Sequence, residues 1–280
     1  MIYTSKTGFI RWATLFISLI ILIVNTLFNS QSTRADPSLL TPNEQRGLEI
    51  ATHSDRTFSN FGNSEVKLEM ILENAYGQVS RRKLESKTIE VDDDGNKSLI
   101  LFKEPRDVRG TAFLSFTHKV GNDDQWLYLP AIKRVKRISS SNKSGSFMGS
   151  EFAFEDIVSQ EVEKYSYQFI KQDVYDDQKV FVVERYPVAK SSGYSKQVVW
   201  YKQENYVVLK IEYYDRKKQL LKTLKYKGYN KHDNKHWRAK IMKMKNHQSE
   251  KSTTLVWSGH QFDVGLTSSD FSKSSLKRIK

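Results

Sequence analysis

The sequence predicts a mainly β protein, an antiparallel meander with very little helix. Three observations carry that prediction. From residue 63 onward apolar and polar side chains alternate at period two, the pattern of strands with one buried face. Turn-forming pairs recur at roughly ten-residue spacing, from Tyr76-Gly77 and Asp94-Gly95 through Gly121-Asn122, Asp176-Asp177, Glu204-Asn205 and Asp215-Arg216 to residues 230–234. Helical patterning is confined to residues 41–55, the neighbourhood of 150–158 and a last turn at 269–276. A sheet of that many strands must curl or have its apolar face covered.

The elements follow in order. Lys6 and Arg11 precede the apolar run WATLFISLIILIV (residues 12–24), and Thr33-Arg34-Ala35 places small residues just before Asp36. This is the pattern of a secretory signal peptide cleaved after Ala35. The alternative is an uncleaved anchor, since apolar character continues through Leu27 and Phe28. Asn25 and Thr26 interrupt that run, and spanning a bilayer takes about 20 apolar residues. Both readings send residues 36–280, a single domain, out of the cytoplasm. A helix then starts with Thr41 as N-cap, Pro42 at the first helical position and Glu44 closing a capping box, with Leu48 and Ala51 on one face. The NFGN run at 60–63 ends it. In the strand that follows, Val66, Leu68, Met70 and Leu72 share one face and Lys67, Glu69, Ile71 and Glu73 the other. The runs SLILFKE, AFLSF, KVFVVERY, KQVVWY, YVVLKIEYY, RAKIMKM and TTLVWSG read as further strands.

The segment DQWLYLPAIKRVKRISSSNKSGSFMGSEFAFEDI (residues 124–157) is the densest in signals. Residues 126–129 read as a strand, Pro130-Ala131 as a turn and residues 133–138 as the returning strand. In that strand Lys133, Val135 and Arg137 share one face, and Arg134, Lys136 and Ile138 the other. Cations on both faces suit an edge, where charge discourages unwanted pairing. Lys133, Arg134, Lys136 and Arg137 are either that solvated edge or a contact for anionic headgroups or an acidic partner. Ser150 reads as the cap of a short helix reaching Phe154. The loop SSSNKSGS (139–146) has no apolar residue to hold it down, whereas Phe147, Met148, Phe152 and Phe154 are too apolar to be left in water. Together they form either a movable lid or a permanent plug of the sheet's open end.

Composition narrows the chemistry. The 280 residues carry a net charge of +13, which loss of residues 1–35 lowers by three through Lys6, Arg11 and Arg34. For an exported protein such charge favours anionic lipid surfaces or acidic partners, and nucleic acid is not expected. The absence of cysteine excludes disulfides, thiolate metal sites, cysteine nucleophiles and a lipidated N-terminal cysteine. His232 and His236 approach ligand spacing but have no third ligand in sequence, and read as solvated loop histidines; no metal and no cofactor are expected. Asp92-Asp93-Asp94-Gly95 lacks the spaced ligands of a calcium loop and reads as an Asp-Gly hairpin turn. Ser150 is not followed by the glycine of a nucleophile elbow. No set of catalytic residues is expected, and an exported serine hydrolase built on Ser150 is the least favoured reading.

The run WLYLPA…KRVKRI…GSFMGSEF, with FKEPRDVRGTAFLSF upstream (residues 102–116), resembles the outer membrane lipoprotein-sorting protein family, part of the LolA/LolB-like superfamily. The resemblance extends over residues 47–276. It implies a strongly curved antiparallel sheet, an incomplete barrel, with a few helices covering the concave face. It also implies a periplasmic carrier or accessory factor for a lipid or acylated protein cargo, beside a resistance-nodulation-division-type exporter of the inner membrane. On that basis Trp126 and Tyr128 join Val66, Leu68, Met70 and Leu72 in the lipid-facing interior, with Phe147, Met148, Phe152 and Phe154 at its mouth. An envelope sensor on the same scaffold is the alternative.

Overall fold

A computed structural model describes residues 39–274 and 276 of the chain. The expected export signal and its cleavage after Ala35 lie outside the described residues. Residues 42–280 form one compact unit, and of the preceding unit, 1–41, only residues 39–41 are described. Helix α1 (Pro42–Phe58) opens the domain, beginning at the proline that suits a first helical turn. Strands β1 (Asn63–Glu73), β2 (Val79–Ile89), β3 (Lys97–Glu104), β4 (Ala112–Phe116), β5 (Asp124–Leu129) and β6 (Arg134–Ile138) form a first meander. A connection containing the single-turn helix α2 (Phe154–Ile157) leads to a second. It comprises β7 (Tyr165–Tyr175), β8 (Gln178–Pro187), β9 (Tyr194–Lys202), β10 (Val208–Asp215), β11 (Leu220–His232), β12 (His236–Asn246) and β13 (Ser252–Phe262).

The two meanders join where β13 pairs antiparallel with β1, giving one sheet in the order β6-β5-β4-β3-β2-β1-β13-β12-β11-β10-β9-β8-β7. It does not close: β6 and β7 are its edges, as the cations of β6 predicted for that strand. The predicted mainly β, antiparallel, unclosed sheet is thus the observed one.

One face carries the main core. Its rows follow from register: Leu68 pairs with Leu84 and Leu84 with Phe102, while Ile100 pairs with Phe113 and Phe113 with Leu127. The same face continues through Leu224, Met244 and Leu255 to Phe181, Val183, Val199, Tyr201, Ile211 and Tyr213. Helix α1 lies on it through Gly47, Ile50, Ala51 and Ser54, one helical stripe. Gly47 is needed for that approach, because a Cβ there would stand 2.9 Å from the Phe169 backbone nitrogen on β7.

The register corrects one expectation. Leu127, not Trp126, pairs with the inward Phe113; Trp126 pairs with Leu114. Trp126 therefore belongs to a second cluster on the opposite face, with Leu99, Ala112, Leu114, Phe271 and Leu276, and Tyr128 packs against it. Every residue of WLYL is apolar or aromatic, so alternation could not assign its faces. The C-terminal residues Phe271 and Leu276 cover the outer side that alternation alone would leave to water. Lys133 is corrected too: it lies outside β6, left-handed at φ 50° after a 3-10 turn at Pro130–Ile132. Among the described residues no helix is long and apolar enough to cross a membrane.

Candidate functional site: the stoppered concave face

The connection between β6 and β7 joins the two edges of the sheet, and residues within it bury themselves in the main core. Phe147 and Phe152 are almost fully buried and Phe154 nearly so. Phe147 meets Phe113 and Phe154 edge-on at ring separations of 5.2 and 5.5 Å, and Phe102 at 6.0 Å. Such contacts add to the large area that each ring removes from water. Leu68 and Met70 are buried in this same cluster, Leu72 and Met148 pack against it partly buried, and Val66 stays half-buried outside it. Seven of the ten residues expected to face lipid thus lie in or against this one cluster, while Val66 stays outside it and Trp126 and Tyr128 belong to the opposite face.

Backbone chemistry fixes the connection's shape. The Phe147 N–H donates to the Phe152 carbonyl at 2.8 Å, the Phe154 N–H to Gly145 at 3.0 Å, and the Glu155 N–H to Lys143 at 2.9 Å. The serine-rich loop is therefore tied to the buried segment that follows it. Ser150 does not cap a helix, which corrects that expectation: α2 starts at Phe154 after Ala153, whose N–H donates to Asp156 at 2.6 Å. The buried Ser150 hydroxyl instead donates to the Phe147 carbonyl at 2.7 Å and closes the tight Phe147–Phe152 loop, in which Met148 and Gly149 take left-handed φ. Its bonds are to backbone groups.

Side chains from across the sheet then hold the segment in place. Arg82 on β2 donates to the Met148 carbonyl at 2.5 Å, Thr253 on β13 accepts from the Glu151 N–H at 3.0 Å, and Asn246 on β12 donates to the Glu151 carboxylate at 2.7 Å. The strongest tie is the ion pair between Lys222 on β11 and Asp156 on α2, at 2.7 Å with side chains 5% and 3% exposed. Lys222 also donates to the Glu151 carbonyl at 2.9 Å, and the Tyr194 hydroxyl reaches both Asp156 oxygens at 2.9 Å. The ammonium stands over the Tyr194 and Tyr213 rings at 5.1 and 5.4 Å. Both charges are thus paired and hydrogen-bonded, as buried charges must be. Next to Asp156, Glu155 accepts from the Gly193 N–H and the Ser192 hydroxyl, each at 2.8 Å. A second buried cation, Arg185, lies 4.5 Å over the Tyr165 ring and donates to Gln197 at 2.7 Å.

None of Lys222, Asp156, Glu155 or Arg185 was singled out by motif. The available signal was parity: Lys222 shares a face with Leu224 and Tyr226, and Arg185 with Phe181 and Val183. A cation inside an apolar stripe is the mark of a buried, partnered charge.

The other expected residues are placed as follows. Arg134, Lys136 and Arg137 are exposed on edge strand β6, with Arg137 paired to Asp124 at 2.6 Å. His236 is buried against Phe262 at a ring separation of 4.5 Å and His232 lies tilted against His260 at 4.7 Å, so His236 is not the solvated loop histidine expected. Among the described residues no group of histidines and carboxylates could hold a metal ion. Asp94 is tied to the His118 ring at 2.7 Å.

Two predictions follow from the buried charges. Lys222→Met leaves Asp156 buried without its cation and is expected to cost about 3–5 kcal/mol in urea unfolding. Adding Asp156→Asn should recover part of that loss; additive losses would show that the two groups do not act as a pair. For Glu155, burial raises the carboxyl above its usual range, the Asp156 charge adds to this, and the bonds from Gly193 and Ser192 oppose it. Folded protein then holds this proton to higher pH than unfolded chain. The stability it contributes is complete below the unfolded pKa and is lost as pH rises through the raised one. Compared with Glu155→Gln, the wild type should therefore lose stability as pH rises above the usual carboxylate range and through the raised one. Parallel stability curves would contradict this.

Comparison with known proteins agrees with this architecture. A family model described as "Uncharacterized protein" matches residues 94–278. An outer membrane lipoprotein-sorting protein domain from Vibrio parahaemolyticus is 52% identical, with a TM-score of 0.83, over 84% of this chain and all of its own. A DUF1329 family protein from Desulfovibrio piger is 30% identical, with a TM-score of 0.80, again over 84% of this chain and all of its own. A LolA superfamily protein from Nitrosomonas europaea shares the fold at 20% identity, with a TM-score of 0.67, over 82% of this chain and 98% of its own. No curated protein sequence matches. From the match to its 52%-identical relative over 84% of this chain, the chain belongs to the outer membrane lipoprotein-sorting protein family.

Proposed function

We propose that the protein is a periplasmic carrier, or an accessory factor, that binds a lipid or lipid-modified protein beside an inner-membrane exporter of the resistance-nodulation-division type. The observation that carries this reading is the continuous apolar concave face, stoppered by a segment of chain outside the sheet. The likeness to an outer membrane lipoprotein-sorting domain supports it.

The magnitudes allow an exchange. Burying a methylene is worth about 0.8 kcal/mol, so a sixteen-carbon chain gains on the order of 12 kcal/mol. Exposing Phe147, Phe152 and Phe154 would cost roughly 5–9 kcal/mol on the same scale. An acyl chain can therefore displace the three rings with free energy to spare for the hydrogen bonds that must break. On this reading Leu68, Met70 and Leu72 line the site, and Phe147, Met148, Phe152 and Phe154 are the part that yields. Val66 stands at its margin. The exposed cations Lys133, Arg134 and Lys136 on or beside edge strand β6 remain available to an anionic headgroup or an acidic partner. No chemistry on the protein is required, and the Ser150 hydroxyl, engaged with backbone, does not favour a hydrolase.

A sensor on the same scaffold would bind a lipid and not deliver it. Mass spectrometry of protein purified from its native envelope should find co-purifying lipid. Purified protein should then move that lipid, labelled, from donor to acceptor vesicles at a rate proportional to protein concentration. Binding without net transfer would favour the sensor, and neither binding nor transfer would contradict both.

A further inference from the structure

A second concavity lies away from the stopper, where the C-terminal end of α1 meets two hairpins. Its volume is about 490 Å³. That is within the roughly 300–1,000 Å³ usual for small-molecule sites. His53, Arg56, Thr57, Ser59 and Asn60 come from α1 and its exit, Asn205 and Tyr206 from the β9–β10 turn, and Lys231, Lys235, His236 and Trp237 from the β11–β12 hairpin. No aspartate or glutamate lines it.

Three of its side chains are exposed cations, Arg56, Lys231 and Lys235, and among the described residues none of them forms an ion pair. Many other basic side chains of this protein are paired, Arg46 with Glu49 at 2.6 Å and Lys245 with Glu250 at 2.6 Å among them. Glu49, the acid beside His53 at 3.9 Å, is thus already engaged by Arg46. Three unpaired cations around one concavity repel each other, and a bound anion would relieve that repulsion.

The floor of the concavity connects it to the core. Tyr206 stacks on His53 at a ring separation of 4.8 Å and on Phe181 at 6.0 Å. Phe181 is a member of the main cluster, and Tyr206 packs against that cluster. A ligand anion held by Arg56, Lys231 and Lys235 would stand one aromatic layer from the apolar interior.

We propose that this concavity binds a phosphate group, carried by an amphiphile whose apolar part passes Tyr206 toward the concave face. The anion site stands on its own geometry; the amphiphile rests on the carrier reading. Guanidinium and ammonium donors supply charge-assisted hydrogen bonds to phosphate oxygens, while the Thr57 and Ser59 hydroxyls are already engaged with the His53, Asn205 and Asp55 carbonyls.

The test uses three probes in titration calorimetry with the folded protein: inorganic phosphate, dihexanoyl-phosphatidylglycerol and dihexanoyl-phosphatidylcholine. A triple variant, Arg56→Gln with Lys231→Gln and Lys235→Gln, changes exposed side chains only, and its unfolding temperature serves as the folding control. Wild type is expected to bind phosphatidylglycerol more tightly than either other probe, and the variant to bind it roughly tenfold or more weakly. Phosphate bound as tightly as phosphatidylglycerol, and lost in the variant, would keep the anion site and identify free phosphate as its ligand. No binding of phosphate or phosphatidylglycerol by wild type, or equal binding by the variant, would overturn the proposal. Vesicle transfer by the same variant separates the two readings: transfer that persists when anion binding fails leaves the carrier reading standing alone.

Discussion

The two edge strands of this sheet are neighbours in sequence, β6 and then β7, and lie at opposite ends of a thirteen-strand order. The 26 residues between them, 139–164, must carry the chain from one edge to the other. A connection of that length with little secondary structure is unusual in a compact domain and points to a role of its own. Here it turns its aromatic side chains into the concave face and completes the core that α1 covers only in part. Much else in the interior is arranged around that passage, including the buried cation on β11 and the tyrosine at the start of β9 that meet Asp156.

The connection is not held uniformly. Its C-terminal half is bound by the Asp156–Lys222 pair, by Tyr194 and by the Glu155 contacts at Gly193, where a Cβ would stand 2.7 Å from Ser144 and 3.1 Å from Glu155. Residues 139–146 are largely exposed and held mainly through backbone hydrogen bonds, and from Met148 onward Arg82, Thr253, Asn246 and Lys222 add side-chain ties at Met148 and Glu151. Breaking a buried charge pair costs several kcal/mol, whereas a hydrogen bond that water can replace contributes about 1 kcal/mol. Any opening of the concave face should therefore begin at residues 139–146 and reach the rings of Phe147, Phe152 and Phe154 only once the ties at Met148 and Glu151 break. This gives the lid and plug readings a common physical basis: the same segment is packed as a plug and loosely enough tied at one end to act as a lid.

Much of the fold was legible in the sequence because alternation and turn chemistry are local. The helix start at Pro42, the edge character of β6 and most strands followed from residues in contact with their sequence neighbours. Strands β2, β7 and β11 were less visible, being rich in charge; in VSRRKLESKTI only Leu84 and Ser86 are buried. The faces of Trp126 and Tyr128 were illegible for a different reason: WLYL is apolar on both sides, and only pairing with Phe113 and Leu114 decides the parity. Ser150 reads in sequence as a helix cap because a serine that satisfies a carbonyl three residues earlier has the same local sequence as one that starts a helix. The Asp156–Lys222 pair joins residues far apart in the chain, so no spacing rule could reveal it, although a lysine on an apolar stripe marked one partner.

The central claim is that the 139–154 segment stoppers the concave face and yields to an acyl chain. Hydrogen exchange followed by mass spectrometry, on lipid-free protein and on protein loaded with its co-purified lipid, tests it most directly. The account predicts that without lipid the amides of Phe147 and Phe154 are protected like those of the core strands. With lipid bound, protection across residues 139–154 should change while that of β8 to β13 stays the same. Identical exchange in both states would show that the segment is a permanent part of the core and that no cargo enters past it.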